Sequence, residues 1–184
     1  MRRRRKTRVL IRSLAGVAAV TMALAQGVPA GSEPPKLHGQ TLDGKAIMLP
    51  DAAAGKVTLL VIGASKKAGD RTGPWKDHFV TDFGSNSNAT YYVAALLQGV
   101  PGPFRGMIRS GMRGGTPTAA QGHVLTSTSD KDVWCQYLNM RDGALPSVLL
   151  LDGSGHARWN FNGIFDPAQY QALKQAVGAL LEGR

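Results

Sequence analysis

From residue 37 onward, the apolar positions fall into short blocks whose spacing switches between strand-like and helix-like. Leu37 to Leu49 holds two partly apolar arms around Asp43-Gly44, a pair that favours the positive backbone angles of a tight hairpin turn. Lys56-Val-Thr-Leu-Leu-Val-Ile-Gly63 is an unbroken apolar run between glycines, rich in Val and Ile. Such a run predicts a strand covered on both faces. Thr90 to Leu97 predicts a second central strand, His123 to Thr126 a short one, and Ser147–Leu151 with Ala157–Phe161 a hairpin across Asp152-Gly153.

Between these strands the period becomes helical. Ala64 to Gly73 is polar and basic and predicts a loop, after which Pro74-Trp75 opens a helix reaching about Phe83, with Trp75 and Phe79 on one side. Pro101 and Pro103 introduce a helix over Phe104–Arg113 that Gly114-Gly115 ends. Asp130 is placed to cap a helix over Lys131–Leu138. Asp166-Pro167 starts a last helix with Tyr170, Leu173, Val177, Leu180 and Leu181 on one face. Strands alternating with helices and closing on an antiparallel hairpin predict an α/β fold, a central mixed sheet flanked by helices with an N-terminal β-hairpin.

Charge changes the picture for the first 30 residues. The formal net charge of +10 suggests a nucleic-acid or membrane-surface binder when taken whole. However, Arg2, Arg3, Arg4, Arg5, Lys6, Arg8 and Arg12 supply seven of those charges with no acid among them. The rest of the chain holds 15 basic and 12 acidic residues. Behind the basic head lies an uncharged stretch, Ser13–Gln26, and then Gly27-Val-Pro-Ala30. Basic head, short apolar middle and small residues before a cut describe a secretory signal peptide over residues 1–30. The apolar middle is short of the roughly 20 residues of a spanning helix, which disfavours an uncleaved anchor. A nucleic-acid-binding arm has no use for the uncharged stretch, so no nucleic-acid partner is expected. A mitochondrial presequence is the other Arg-rich alternative. The expectation is a periplasmic or secreted protein cleaved near Ala30, with an extended lead-in over 31–36 and one domain over 37–184.

Several local features recur in one family. Leu42-Asp-Gly-Lys45 with Leu49-Pro-Asp51 leads into Gly55-Lys-Val57, and Leu145-Pro-Ser-Val148 stands before a strand that ends in Leu151-Asp-Gly-Ser-Gly155. In order and spacing the chain resembles the thioredoxin-like superfamily in its exported redoxin form. The resemblance implies that Pro146 is the cis proline facing the active-site loop. It also implies a Cys-x-x-Cys pair after the first central strand, at about Lys66 and Gly69, where a helix N-terminus would lower a thiol pKa. The chain has a single cysteine, Cys135, far from that loop in sequence. Disulfide exchange needs a thiolate, which lysine cannot replace, so thiol–disulfide chemistry and peroxide reduction through the loop are disfavoured. Thr58-Leu-Leu-Val-Ile62 before the Trp75 helix, and Leu151-Asp-Gly-Ser-Gly-His-Ala-Arg-Trp159 with Gly163, are similar to the mitochondrial ATP synthase F0 assembly-factor family. That similarity implies a non-catalytic protein that helps assemble a membrane-associated partner.

Three groups of residues remain as candidates. Lys66, Lys67 and Arg71 with Trp75 and Pro146 would form a partner-binding groove if the mapping holds. Arg105, Arg109 and Arg113 recur every four residues and form a basic stripe, suited either to an anionic membrane surface or simply to water. Cys135 is either a reactive thiol or a small buried hydrophobe. His38, His78, His123 and His156 lack metal-ligand spacing, Met107, Met112 and Met140 fit core packing better than ligation, and no G-x-S-x-G elbow is present. No metal or cofactor is expected. The first functional expectation is a redox-inactive binding or assembly factor with a protein partner. The alternatives are a thiol peroxidase or oxidoreductase using Cys135, and an envelope protein using the arginine stripe.

Overall fold

The computed structural model describes residues 27–183. The expected signal peptide therefore lies, but for its last four residues, outside the described residues. Strand β3 (Val57–Gly63) is the centre of the molecule and is buried along its whole length. It pairs in parallel with β4 (Ala89–Leu96), Leu59 opposite Tyr91 and Val61 opposite Val93. On its other side it pairs antiparallel with β6 (Ser147–Leu151), Leu60 opposite Leu149. With β1 (Leu37–Thr41), β2 (Ala46–Leu49), β5 (Val124–Ser127) and β7 (Ala157–Asn162), the sheet has seven strands in the order β2-β1-β5-β4-β3-β6-β7. The mixed sheet and its N-terminal hairpin are as the patterning predicts.

Alternation along β3 divides the core in two, because successive side chains point to opposite faces. Val57, Leu59 and Val61 meet Trp75 and Phe79 of α2 (Gly73–Phe83) and Tyr170, Leu173 and Val177 of α5 (Pro167–Glu182). Leu60 and Ile62 meet Trp134 of α4 (Lys131–Tyr137) and Leu138 just beyond it. These five apolar β3 side chains are each 0% exposed, and burying each contributes about 1.5–3 kcal/mol over leaving it in water. The last helix starts at Asp166-Pro167 as expected, and Asp166 caps it by accepting from the Gln169 amide at 2.9 Å.

Several details depart from the sequence expectations. The segment after β3 is not wholly a loop: Ser65 caps a single helical turn, α1 (Lys66–Gly69), accepting from the Ala68 amide at 3.1 Å. Asp51–Ala53 and Thr118–His123 form short 3-10 turns. Asp130 does not cap α4 with its side chain. Its carboxylate instead accepts from the His38 amide at 2.6 Å, joining β1 to the start of α4. The cis peptide bond among the described residues is Leu49–Pro50, so the bond before Pro146 is trans. The lead-in docks on β7: Gly31 N donates to Ala157 O at 2.6 Å and Ala157 N donates to Ser32 O at 2.9 Å.

Candidate functional site

Helix α1 occupies the position where the family resemblance places a cysteine pair, directly after the central strand. Gly63 at the end of β3 makes this possible, since a Cβ there would stand 2.9 Å from the backbone of Gly69. Lys66 and Gly69 are the first and last residues of the turn. Neither they nor Lys67 and Ala68 between them carry a thiol. Lys66 pairs with Asp70 at 2.7 Å, whereas Lys67 is exposed.

The turn is fastened to the segment before β6. Ser65 Oγ donates to the Gly143 carbonyl at 2.5 Å and an Arg71 guanidinium N–H donates to the Ala144 carbonyl at 3.2 Å. The loop and the Pro146 segment are therefore neighbours, as mapped, but the chain's own side chains bridge them. Pro146 is buried. Trp75 is 0% exposed, donates from its indole N–H to the Gly163 carbonyl at 3.2 Å, and packs at 5.2 Å between ring centres on Phe165. The five proposed groove residues thus separate. Lys66 and Lys67 remain accessible, Arg71 is a half-buried bridge, and Trp75 and Pro146 belong to the interior.

The arginine stripe is also reassigned. It lies on α3 (Gly102–Gly114), a helix with no buried residue. Arg105 Nε donates to the Val100 carbonyl at 2.6 Å and Arg113 Nε to the Leu42 carbonyl at 2.7 Å. Arg109 reaches the Thr41 carbonyl and the Gln40 side chain. Burial pushes the Arg109 guanidinium down from its ordinary value, with Arg113 beside it acting in the same direction. The stripe's donors tie α3 to the β1 hairpin and to its own lead-in, with Arg105 and Arg109 half-buried and Arg113 still exposed. Besides Ser110 and Arg113, α3 shows the apolar side chains Phe104 and Met107 to solvent, at 54% and 67% exposure.

Between α3, the carboxyl ends of β3 and β4, and α1 lies a cavity of about 510 Å³. Val93, Leu97, Val100, Ile108 and Met112 give it aliphatic walls, and Lys66, Asp70 and Lys131 are its charged lining residues. Carboxyl ends of strands are where ligands usually meet open α/β sheets. Nothing in the sequence pattern marks this space, because Ile108 and Met112 at helical spacing look like ordinary core positions.

Cys135 is half-buried on α4 and packs against the Trp134 cluster. Burial pushes its thiol up from the ordinary value, with Lys131 opposing and Asp132 reinforcing the shift. His38 contacts Asp130, His78 stacks on Phe165, His123 stacks on Tyr91, and His156 lies 3.9 Å from Asp152. Among the described residues, no group of three or more His, Cys, Asp or Glu side chains is arranged to hold a metal ion. No helix among them is long and apolar enough to cross a membrane.

Comparison with solved structures decides the architecture. A member of the Sco family of cytochrome c oxidase assembly proteins superposes with a TM-score of 0.59 at 14% identity, over 84% of this chain and 97% of that one. The thioredoxin domain of a thiol-disulfide oxidoreductase from Bacteroides vulgatus gives 0.57 at 15% identity, over 82% and 99%. The fold is thioredoxin-like. An exposed lipoprotein thioredoxin from Streptococcus pneumoniae matches the same architecture with a TM-score of 0.54 at 19% identity, covering 77% of this chain and 99% of that one. No family model and no curated protein matches the chain. The comparisons show no link to the ATP synthase F0 assembly-factor family. What distinguishes this thioredoxin-like chain is a single cysteine, placed outside the turn that follows the central strand.

Proposed function

We propose that this thioredoxin-like chain is an exported, redox-inactive binding or assembly factor for an envelope or membrane-complex partner. The observation that carries the reading is the α1 turn: Lys66-Lys-Ala-Gly69 stands where a redox-active relative needs two thiols. Thiol exchange requires a thiolate to attack sulfur, and none is available there. Cys135, the one thiol, has its charged form disfavoured by burial, which weighs against the peroxidase alternative. Export rests on the basic head and uncharged stretch of residues 1–30. A protein of the Sco family of cytochrome c oxidase assembly proteins has the same fold, which supports an assembly role by analogy alone.

The partner-facing residues in this reading are Lys66 and Lys67, with Arg71 positioning the turn through its bond to Ala144. A photo-crosslinking residue at position 67 tests it in the native envelope, with one at exposed Gln171 on α5 as the control. The reading expects a discrete adduct with a membrane-complex subunit from position 67 and not from position 171. Identical adduct patterns from both positions would contradict it.

A further inference from the structure

The cavity between α3, α1 and the ends of β3 and β4 has a chemistry that the assembly reading does not use. Its volume of about 510 Å³ falls within the range of small-molecule sites, roughly 300–1,000 Å³. None of the residues lining it is aromatic, so no stacking platform for a base, a flavin or a sugar ring is present. The walls are mainly aliphatic side chains and the backbones of Gly63, Gly69 and Gly111, with the hydroxyl residues Ser65 and Thr72 beside α1.

The charge on its lining is uneven. Lys66 is neutralised by Asp70 at 2.7 Å. Lys131 lines the same cavity, is half-buried, and forms no ion pair among the described residues. An apolar volume bordered by one uncompensated ammonium is complementary to a molecule with an aliphatic body and one negative charge.

The α3 wall is held by side-chain hydrogen bonds rather than by a packed core. The helix buries no residue and is tied to the rest of the chain through its arginines, so its position is not locked by core packing. Met112 adds an unbranched side chain that adapts to irregular shapes. Gly111 leaves room beside it: a Cβ there would meet nothing within 4 Å.

We propose that this cavity binds a single-chain aliphatic carboxylate, with its chain between α3 and β4 and its carboxylate paired to Lys131. The site does not depend on the protein-partner reading, and either can fail without the other.

The test is calorimetric titration of the full chain with decanoate, and with decyltrimethylammonium as a probe of the same chain length and opposite charge. Decanoate binds at one site, and the cation binds at least about tenfold more weakly, the size expected for one partly desolvated charge pair replaced by a repulsion. Lys131→Gln weakens decanoate at least about tenfold and leaves the cation unchanged or tighter. Gly111→Leu fills the space and abolishes binding of both while raising helix propensity, so its melting temperature is no lower than that of the parent. Met112→Trp, filling the space from the neighbouring position, gives the same loss. Three results overturn the proposal: no decanoate binding by the parent chain, equal affinity for the two probes, or undiminished decanoate binding by folded Gly111→Leu. The last would place the anion elsewhere, for example on the basic head.

Discussion

Arg113 on α3 and Leu42 beside the β1–β2 turn are joined by a 2.7 Å hydrogen bond from guanidinium Nε to backbone carbonyl. Arg109, one turn earlier, makes the same kind of bond to Thr41. A helix with no buried side chain is thus tied by charged donors to backbone carbonyls at the end of a strand.

That relationship predicts the result of a charge-conserving change. Arg109→Lys and Arg113→Lys keep the positive stripe but lose the forked donors. Each should cost about 1 kcal/mol and speed amide hydrogen exchange across 102–114. If the stripe were a membrane-binding face, both variants would instead retain anionic-vesicle binding with unchanged exchange in α3.

Trp75 predicts a large stability effect. It is fully buried against Phe165, Phe161 and Trp159, and its indole N–H is satisfied by Gly163. Trp75→Ala should destabilise by about 3–5 kcal/mol in urea unfolding, as expected for a buried Trp truncated in a packed core. Trp75→Phe keeps much of the packing and strands the Gly163 carbonyl, for about 1–3 kcal/mol. A near-neutral Trp75→Ala would return this residue to the surface site that sequence spacing alone suggested.

A pH dependence follows from the contact between α2 and α5. Tyr170 donates its hydroxyl proton to the Asp82 carboxylate at 2.7 Å, and Lys174 lies 3.1 Å from the same group. The Tyr170 hydroxyl is the main cause holding Asp82 below its ordinary value of 3.8, with Lys174 adding to it against the cost of burial. A carboxyl with a depressed folded-state pKa contributes stability that is complete above its unfolded value and disappears as pH falls through the folded one. The stability difference between the parent and Tyr170→Phe should therefore be full at neutral pH, about 1.5 kcal/mol, and shrink below pH 3.8. A difference that stays constant down to pH 2 would show that the Asp82 charge plays no part in the contact.

Cys135 predicts slow thiol chemistry. Burial disfavours its thiolate, so the rate of iodoacetamide alkylation should reach half its plateau at a higher pH than for free cysteine. Alkylation already at plateau near neutral pH would instead mark an activated thiol.

How much of this was legible in the sequence depends on whether local pattern or distant contact decides a position. β3, α2 and α5 follow from apolar runs and periods, because a strand buried on both faces and a helix buried on one leave an unambiguous spacing. The absence of thiols around Lys66 was equally plain. What stayed hidden depends on tertiary partners. Asp130 looks like a helix cap, yet the His38 amide on a neighbouring strand takes its carboxylate. Arg105, Arg109 and Arg113 have the spacing of a solvated face, and only the fold shows that their guanidinium groups also reach the carbonyls of Val100, Thr41 and Leu42. Pro146 was expected to be cis and facing a groove. It is trans and buried, and Ser65 and Arg71 bridge to the segment before it. The cavity is the least legible feature, since it exists because α3 stands off the sheet.

The central claim, that the α1 turn acts by binding and that thiol chemistry plays no part, is tested most directly by complementation. A strain deleted for this chain would be supplied with either Cys135→Ser or the double variant Lys66→Glu, Lys67→Glu, each at parental level. The account predicts that Cys135→Ser restores the parental phenotype fully and the charge-reversed turn does not. Restoration by the charge-reversed turn together with failure of Cys135→Ser would contradict it.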